Sequence, residues 1–283
     1  MNTDAPGAIT ITPLPQIAAR AAWRAETLHA SDAHTLLWFT KGQGRIVVEG
    51  KRSTFAINTV VFLPAGTPHA FDARPGHFGQ VLTAAPHPTL EMPEAPILYR
   101  VRDVIQHGEF VSLFEALQRE LTRNGAPVQD TPVTPIPELR MRAARLHVGL
   151  IGVWLSRQTN QLRTAQANAS EALARRFTQL VERDYAKGRS VDALARELGV
   201  TPTHLTRACK SALGLSAHTL LNERVMHEAR AMLTQTSRPV GQIAQGLGFS
   251  SAAYFTRAFQ KQTGRTPSAF RTTRTPLPAH MAP

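Results

Sequence analysis

At 283 residues the chain has room for about two domains. Its formal charge of +12 is uneven, with residues 1–170 contributing +3 and residues 171–283 contributing +9, so a polyanion partner is indicated for the second half only. The single cysteine, Cys209, excludes an internal disulfide and a cysteine-based zinc site. Met1 to Gln16 lacks a basic start followed by an apolar run, and no stretch approaches roughly 18 apolar residues, so a cytoplasmic protein without a membrane partner is expected.

From Thr35 to about Thr83 the pattern is that of strands. His34 to Thr40 is an apolar run with aromatics, Lys41-Gly42-Gln43-Gly44 a turn, Arg45 to Glu49 a segment rich in β-branched residues, and Gly50-Lys51-Arg52 a second turn. Thr59 to Leu63, Ala70 to Ala73 and Phe78 to Thr83 complete the set. Short strands with frequent turns predict a small antiparallel barrel or sandwich. On the first strand His34, Leu36, Trp38 and Thr40 share one face and Leu37 and Phe39 the other; alternation alone leaves open which face is inside.

The Gly42-Gln43-Gly44 turn and the Pro64-x-Gly66-x-x-His69 element resemble a cupin-type sensor domain, over about 60 residues. Metal-binding cupins carry two histidines one residue apart and a glutamate ahead of this element. Here His34 is followed by Leu36 and the acid is missing, so no metal and no other cofactor is expected. The domain is expected to bind a small effector through His34, Trp38, Arg45 and His69. A cavity with cationic groups and aromatic walls suits an organic acid, while a neutral sugar is the competing choice. Core packing or loop bracing is the alternative role for Trp38 and His69.

After the prolines at 86, 88, 93 and 96, Glu109 to Arg123 reads as a helix with Phe110, Leu113, Phe114, Leu117 and Leu121 at helical spacing. Asn124 to Pro137 reads as a stiff loop. Glu138 to about Leu162 is the longest predicted helix. Leu139, Ala143, Leu146, Leu150 and Val153 advance along it in alternating steps of four and three, the pattern of a coiled-coil dimer seam. The same residues could instead pack on their own barrel. Residues 163–169 lack large apolar side chains and read as a linker, which leaves 1–162 as the effector-binding and dimerisation domain.

A helical domain follows over 170–275, with a proline-rich tail at 276–283. It carries one short pattern twice. Ala195, Leu198, Gly199 and Val200 lead to His204, Leu205, Thr206, Arg207 and Ala208; Ala244, Leu247, Gly248 and Phe249 lead to Tyr254, Phe255, Thr256, Arg257 and Ala258. Gly199 and Gly248 lie 49 residues apart and Arg207 and Arg257 lie 50 apart, so the second turn is one residue longer. In each copy a small residue allows two helices to touch, a glycine turns the chain, and Thr201-Pro202 or Ser250-Ser251 starts the next helix. Leu205, Ala208 and Cys209, or Phe255, Ala258 and Phe259, form the apolar stripe, which makes Cys209 a small core hydrophobe. The opposite face carries Thr203, Thr206, Arg207 and Lys210, or Ala252, Ala253, Thr256 and Arg257, and suits a DNA major groove. His218 to Thr234 reads as one helix joining the copies.

The stretch from Arg176 to Arg271 resembles the C-terminal DNA-binding domain of the AraC/XylS family of bacterial transcription regulators. The second copy, from Ile243 through Gly248, Tyr254, Arg257, Gly264 and Pro267 to Arg271, stands close to the family signature. The resemblance implies an α+β protein of two domains: a cupin-like β-barrel with following helices, then an all-α double helix-turn-helix. It implies double-stranded DNA, a small-molecule effector, a second copy and RNA polymerase as partners, with activation as the expected sign. Thr203, Thr206, Arg207, Lys210, Ser250, Ser251, Ala252, Ala253, Thr256 and Arg257 are the expected DNA contacts. Two other readings compete. One is a cupin enzyme with an accessory DNA-binding domain, opposed by the missing metal ligands and the lack of a catalytic constellation. The other is a regulator whose barrel binds no ligand and serves dimerisation or protein contact.

Overall fold

A computed structural model describes residues 9–122, 136–159 and 169–272. The chain divides into two compact units, one built mainly from residues up to 167 and one from residue 168 onward.

The N-terminal unit begins with β1 (Ile9–Pro13) and α1 (Leu14–Glu26), followed by β2 (His34–Lys41), β3 (Gly44–Val48), β4 (Lys51–Phe55), β5 (Thr59–Leu63), β6 (His69–Phe71), β7 (Phe78–Ala84) and β8 (Ile97–Arg100). Two helices, α2 (Val104–Thr122) and α3 (Ile136–Thr159), complete it. The strands form a five-stranded sheet in the order β1-β7-β2-β5-β8 and a three-stranded sheet in the order β4-β3-β6. Both faces of β2 are covered. Leu37 and Phe39 point into the space between the sheets, where they meet Ile46, Phe55, Val61 and Phe71. Leu36 and Trp38 lie under α2 and α3, among Phe110, Phe114, Val148 and Ile151. A strand buried on both sides explains why its sequence is apolar without alternation.

Four elements were not anticipated: β1, α1, β4 and β8. Lys51 and Arg52, expected in a turn, already belong to β4, whose exposed basic residues hide its strand character. α2 starts at Val104, five residues ahead of the expected Glu109. Asp103 caps it, its carboxylate accepting from the Gln106 N–H at 2.9 Å. Val104 and Ile105 are 83% and 74% exposed, so the first turn breaks the apolar stripe that marks the rest. The expected loop to Pro137, the linker and the 276–283 tail lie largely or wholly outside the described residues.

The C-terminal unit is all helix: α4 (Ala169–Asp184) with a 3-10 turn at Tyr185–Lys187, α5 (Val191–Glu197), α6 (Pro202–Leu213), α7 (Ala217–Gln235), α8 (Val240–Gly246), α9 (Ala252–Thr263) and α10 (Pro267–Thr272). Two polar clusters fix its first helix. Buried Arg224 of α7 donates Nε and Nη2 to the two carboxylate oxygens of Glu182, both at 2.8 Å, and lies 3.7 Å from the centre of the Tyr185 ring. Buried Asp184 accepts from Arg183, Lys187 and Arg189, and the two arginines reach on to Glu197 of α5. These donors, Arg183 and then Lys187 foremost, hold the Asp184 carboxyl far below the usual carboxylate range.

Candidate nucleic-acid interface

The paired helices α5–α6 and α8–α9 are built alike, and local chemistry sets each turn. Ser190 accepts from the Ala193 N–H to start α5. Thr201 accepts from the His204 N–H, with Pro202 in the first turn, to start α6. Ser251 accepts from the Tyr254 N–H to start α9. Between the helices Gly199 and Gly248 take φ of +72° and +78°, where a Cβ is unfavourable. The two glycines differ in surroundings. A Cβ on Gly199 would meet nothing, whereas Gly248 packs directly on the backbone of Gly188 at the end of α4.

The inner faces are buried as the spacing requires. Leu205, Ala208, Cys209 and Leu213 are buried where α6 packs against α4, α5 and α7, and burial pushes the Cys209 thiol up to about 12, which leaves it un-ionised. In the second copy aromatic rings replace the aliphatic ones: Phe249, Phe255, Phe259 and Phe270 are in sequential contact, with centroids 5.1–5.7 Å apart.

All ten expected DNA contacts lie at the surface. Thr203, Arg207 and Lys210 on α6, and Ser250, Ser251, Ala252, Ala253 and Arg257 at and on α9, are exposed; Thr206 and Thr256 are half-buried at matching positions. Among the described residues Arg207 and Arg257 form no ion pair, so no acid on a neighbouring helix holds them against the fold. The same surface carries His204 and Tyr254, both exposed and also equivalent in the repeat, which were not singled out as contacts. The repeat register itself was the signal for them. The joining helix α7 has 19 residues, spanning about 28 Å at ~1.5 Å per residue. With its flanking turns, this suits two reading helices spaced by one DNA turn of ~34 Å.

The expected effector residues do not form one site. Trp38 is wedged edge-on against Phe110 and Phe114 of α2, with both centroid distances 5.2 Å. His69 lies in the three-stranded sheet, buried, its Nδ1 2.9 Å from the Thr67 carbonyl. His34 accepts from the Ala65 N–H through Nδ1. Arg45 is exposed and beside Asp72 at 3.5 Å. The space between the sheets, where a barrel ligand was expected, is filled by the stacked rings of Phe39 and Phe55, 3.7 Å apart, with Phe71 edge-on. Among the described residues no three His, Cys, Asp or Glu side chains group as metal ligands, and no helix is long and apolar enough to cross a membrane.

Two consecutive helix-turn-helix pairs, joined by one helix and presenting cations outward, define a DNA-binding protein of the double helix-turn-helix class. A helix-turn-helix family model matches residues 194–273. The chain is 30% identical over 95 residues to the bifunctional transcriptional activator/DNA repair enzyme AdaA of Bacillus subtilis, covering 34% of this chain and 45% of that one. It is 28% identical over 81 residues to the arabinose operon regulatory protein of Escherichia coli, covering 29% and 28%. The solved C-terminal domain of AraT, a response regulator from Geobacillus stearothermophilus, is 30% identical, with 38% of this chain and 89% of that one covered and a TM-score of 0.36. The C-terminal domain of the present chain is of the helix-turn-helix type found in the AraC/XylS transcription regulators. The chain spans less than half the length of the two curated relatives.

Proposed function

We propose that the protein is a sequence-specific transcription regulator that binds DNA as a homodimer and answers to a small molecule through its N-terminal unit. One observation carries the DNA reading: two equivalent helices, α6 and α9, present Thr206 with Arg207 and Thr256 with Arg257 at the same register on an exposed face. An arginine aimed at guanine O6 and N7 makes two hydrogen bonds, worth roughly 1–3 kcal/mol of discrimination. Selection of bound fragments from genomic DNA by the purified protein should return one motif. Arg207→Ala should then flatten preference at one base pair while the protein stays folded. An unaltered motif would remove Arg207 from base reading.

Pairing through α3 is supported by its exposed apolar stripe. Leu146 and Leu150 are 65% and 50% exposed and Leu139 and Val153 are also outward, with Ala143 half-buried between them; Ala144, Val148, Ile151 and Leu155 turn inward to the core. Activation by contact with RNA polymerase is the sign we infer, to be read by transcription in vitro from the selected site. An organic acid held by His34, Trp38, Arg45 and His69 loses its basis, since those residues are dispersed. The filled space between the sheets favours a second reading, in which the N-terminal unit serves pairing alone. Any small molecule that both binds that unit and alters DNA affinity decides against it.

A further inference from the structure

The two helix-turn-helix pairs differ most in their first helices. α5 reads Val-Asp-Ala-Leu-Ala-Arg-Glu and α8 reads Val-Gly-Gln-Ile-Ala-Gln-Gly, each of seven residues. In α5 the Ser190 hydroxyl caps the first turn, Asp192 stands at the positive end of the helix dipole and Arg196 at the negative end. Its last residue, Glu197, accepts from Arg183 and Arg189, each at 2.6 Å. In the repeat register every one of these devices is replaced in α8. Pro239 stands for Ser190 and has no side-chain acceptor, Gly241 stands for Asp192, Gln245 for Arg196 and Gly246 for Glu197.

Gly241 and Gly246 are exposed and neither takes a positive φ, so no turn requires them. Glycine raises the entropy lost when a helix orders, and each one shifts the opening equilibrium roughly fivefold relative to alanine. The backbone does not offset this. The Ile243 N–H donates to the Pro239 carbonyl at 3.1 Å, as Leu194 does to Ser190; Leu247 donates to Ile243 at 3.0 Å, as Leu198 does to Leu194 at 3.1 Å. Like bonds on unlike sequences make α8 the easier helix to open. Opening would unseat α9. Ile243, Ala244 and Leu247 are the α8 part of the core that holds Phe255 and Phe259, and the Phe249 N–H in the turn is tied back to the Ala244 carbonyl at 3.0 Å.

We propose that α8 is a conformational latch: it opens locally in the DNA-free protein, which releases α9, and it closes when α9 docks, so that α6 engages DNA first. The proposal rests on the reading of both pairs as DNA-binding. DNA takes only the closed form and therefore stabilises α8 by mass action.

The test is hydrogen exchange on the full-length protein, read at matched amides and corrected for intrinsic rates: Ile243 and Leu247 against Leu194 and Leu198. In the DNA-free parent the α8 amides should be protected about 10-fold less than those of α5. The Gly241→Ala/Gly246→Ala variant should recover about that factor, and each single variant part of it. Saturation with a duplex carrying the motif returned by fragment selection should raise α8 protection in the parent about 10-fold or more. By fluorescence anisotropy the double variant should bind that duplex as tightly as the parent or tighter. Equal protection of α5 and α8 in the parent overturns the proposal, and so do alanine variants, single or double, whose α8 exchanges as before. Alanine variants that gain protection but lose DNA affinity also overturn it, because the glycines would then serve close approach of DNA. A duplex that binds yet leaves α8 protection unaltered refutes the latch while the DNA reading stands. If no fragment binds, the DNA reading falls and the latch with it.

Discussion

His69 and His34 brace the turn between β5 and β6 from its two ends. His69 donates Nδ1–H to the Thr67 carbonyl from a buried position, and burial pushes its pKa below the ordinary value of 6.5 despite that bond. His34 accepts from the Ala65 N–H, a bond that protonation of Nδ1 would abolish, and its pKa is likewise lowered by burial. The unfolded chain therefore binds these protons at a higher pH than the folded one, and stability rises with pH wherever the unfolded chain holds more of them. Both contributions are complete above about pH 6.5 and are lost as pH falls from there toward the depressed folded values. Melting of the N-terminal unit should be flat between pH 7 and 8 and decline below. His69→Asn, whose amide can still donate to Thr67, should make the decline shallower; an identical pH profile would show that His69 does not cause it. The Pro-x-Gly-x-x-His element was visible in the sequence as a motif, and loop bracing was one of the two roles it left open for His69; the motif does not encode the burial and the Thr67 carbonyl that favour bracing.

At the scale of elements, what was legible follows from periodicity. The doubled helix-turn-helix could be read to the residue, since glycine turns, capping hydroxyls and apolar stripes are local signals and each occurs twice. β1, β4 and β8 could not, because short strands carrying Thr12, Lys51, Arg52 or Arg100 become strands only when a neighbour supplies the ladder. The repeat also concealed an asymmetry. Gly199 and Gly248 look equivalent in sequence, yet a Cβ on Gly188 would lie 2.7 Å from the Gly248 carbonyl oxygen, and one on Gly248 would strike the Gly188 backbone. Gly199→Ala should therefore cost only the positive φ, about 1–2 kcal/mol. Gly248→Ala adds overpacking and should cost roughly 3–4 kcal/mol. Urea unfolding of the C-terminal unit measures both, and equal losses would mean that the Gly188 contact gives way freely. The α3 stripe allows a parallel test. Leu146→Asp with Leu150→Asp places charge in the proposed seam, away from the buried face that holds the helix to its own sheet. A dimer should become a folded monomer by light scattering. An unchanged mass would remove α3 from the interface.

Across the whole molecule, the separation of charge and pairing sets how the protein should grip DNA. Residues 171–283 hold +9 of the net +12, while α3, the helix proposed to pair, belongs to the nearly neutral unit. The two helices proposed to read DNA are also unequal: α6 offers Arg207 and Lys210 beside its threonines, whereas α9 begins with Ala252 and Ala253, whose side chains could give only methyl contact or close backbone approach. Each binding site should accordingly show sharper base constraint under α6 than under α9, and equal information in both halves would count against that division. Salt dependence tests the assembly itself. Each phosphate neutralised contributes a slope of about −0.9 in log affinity against log salt, so the slope counts ionic contacts whatever the sequence. If two subunits dock together, the parent protein should show about twice the slope of the Leu146→Asp/Leu150→Asp monomer on the same DNA. The monomer should keep its base preference, because α6 and α9 are intact. A monomer with the parent's full slope would mean that one C-terminal unit makes all the phosphate contacts, and that pairing through α3 does not bring a second unit to DNA.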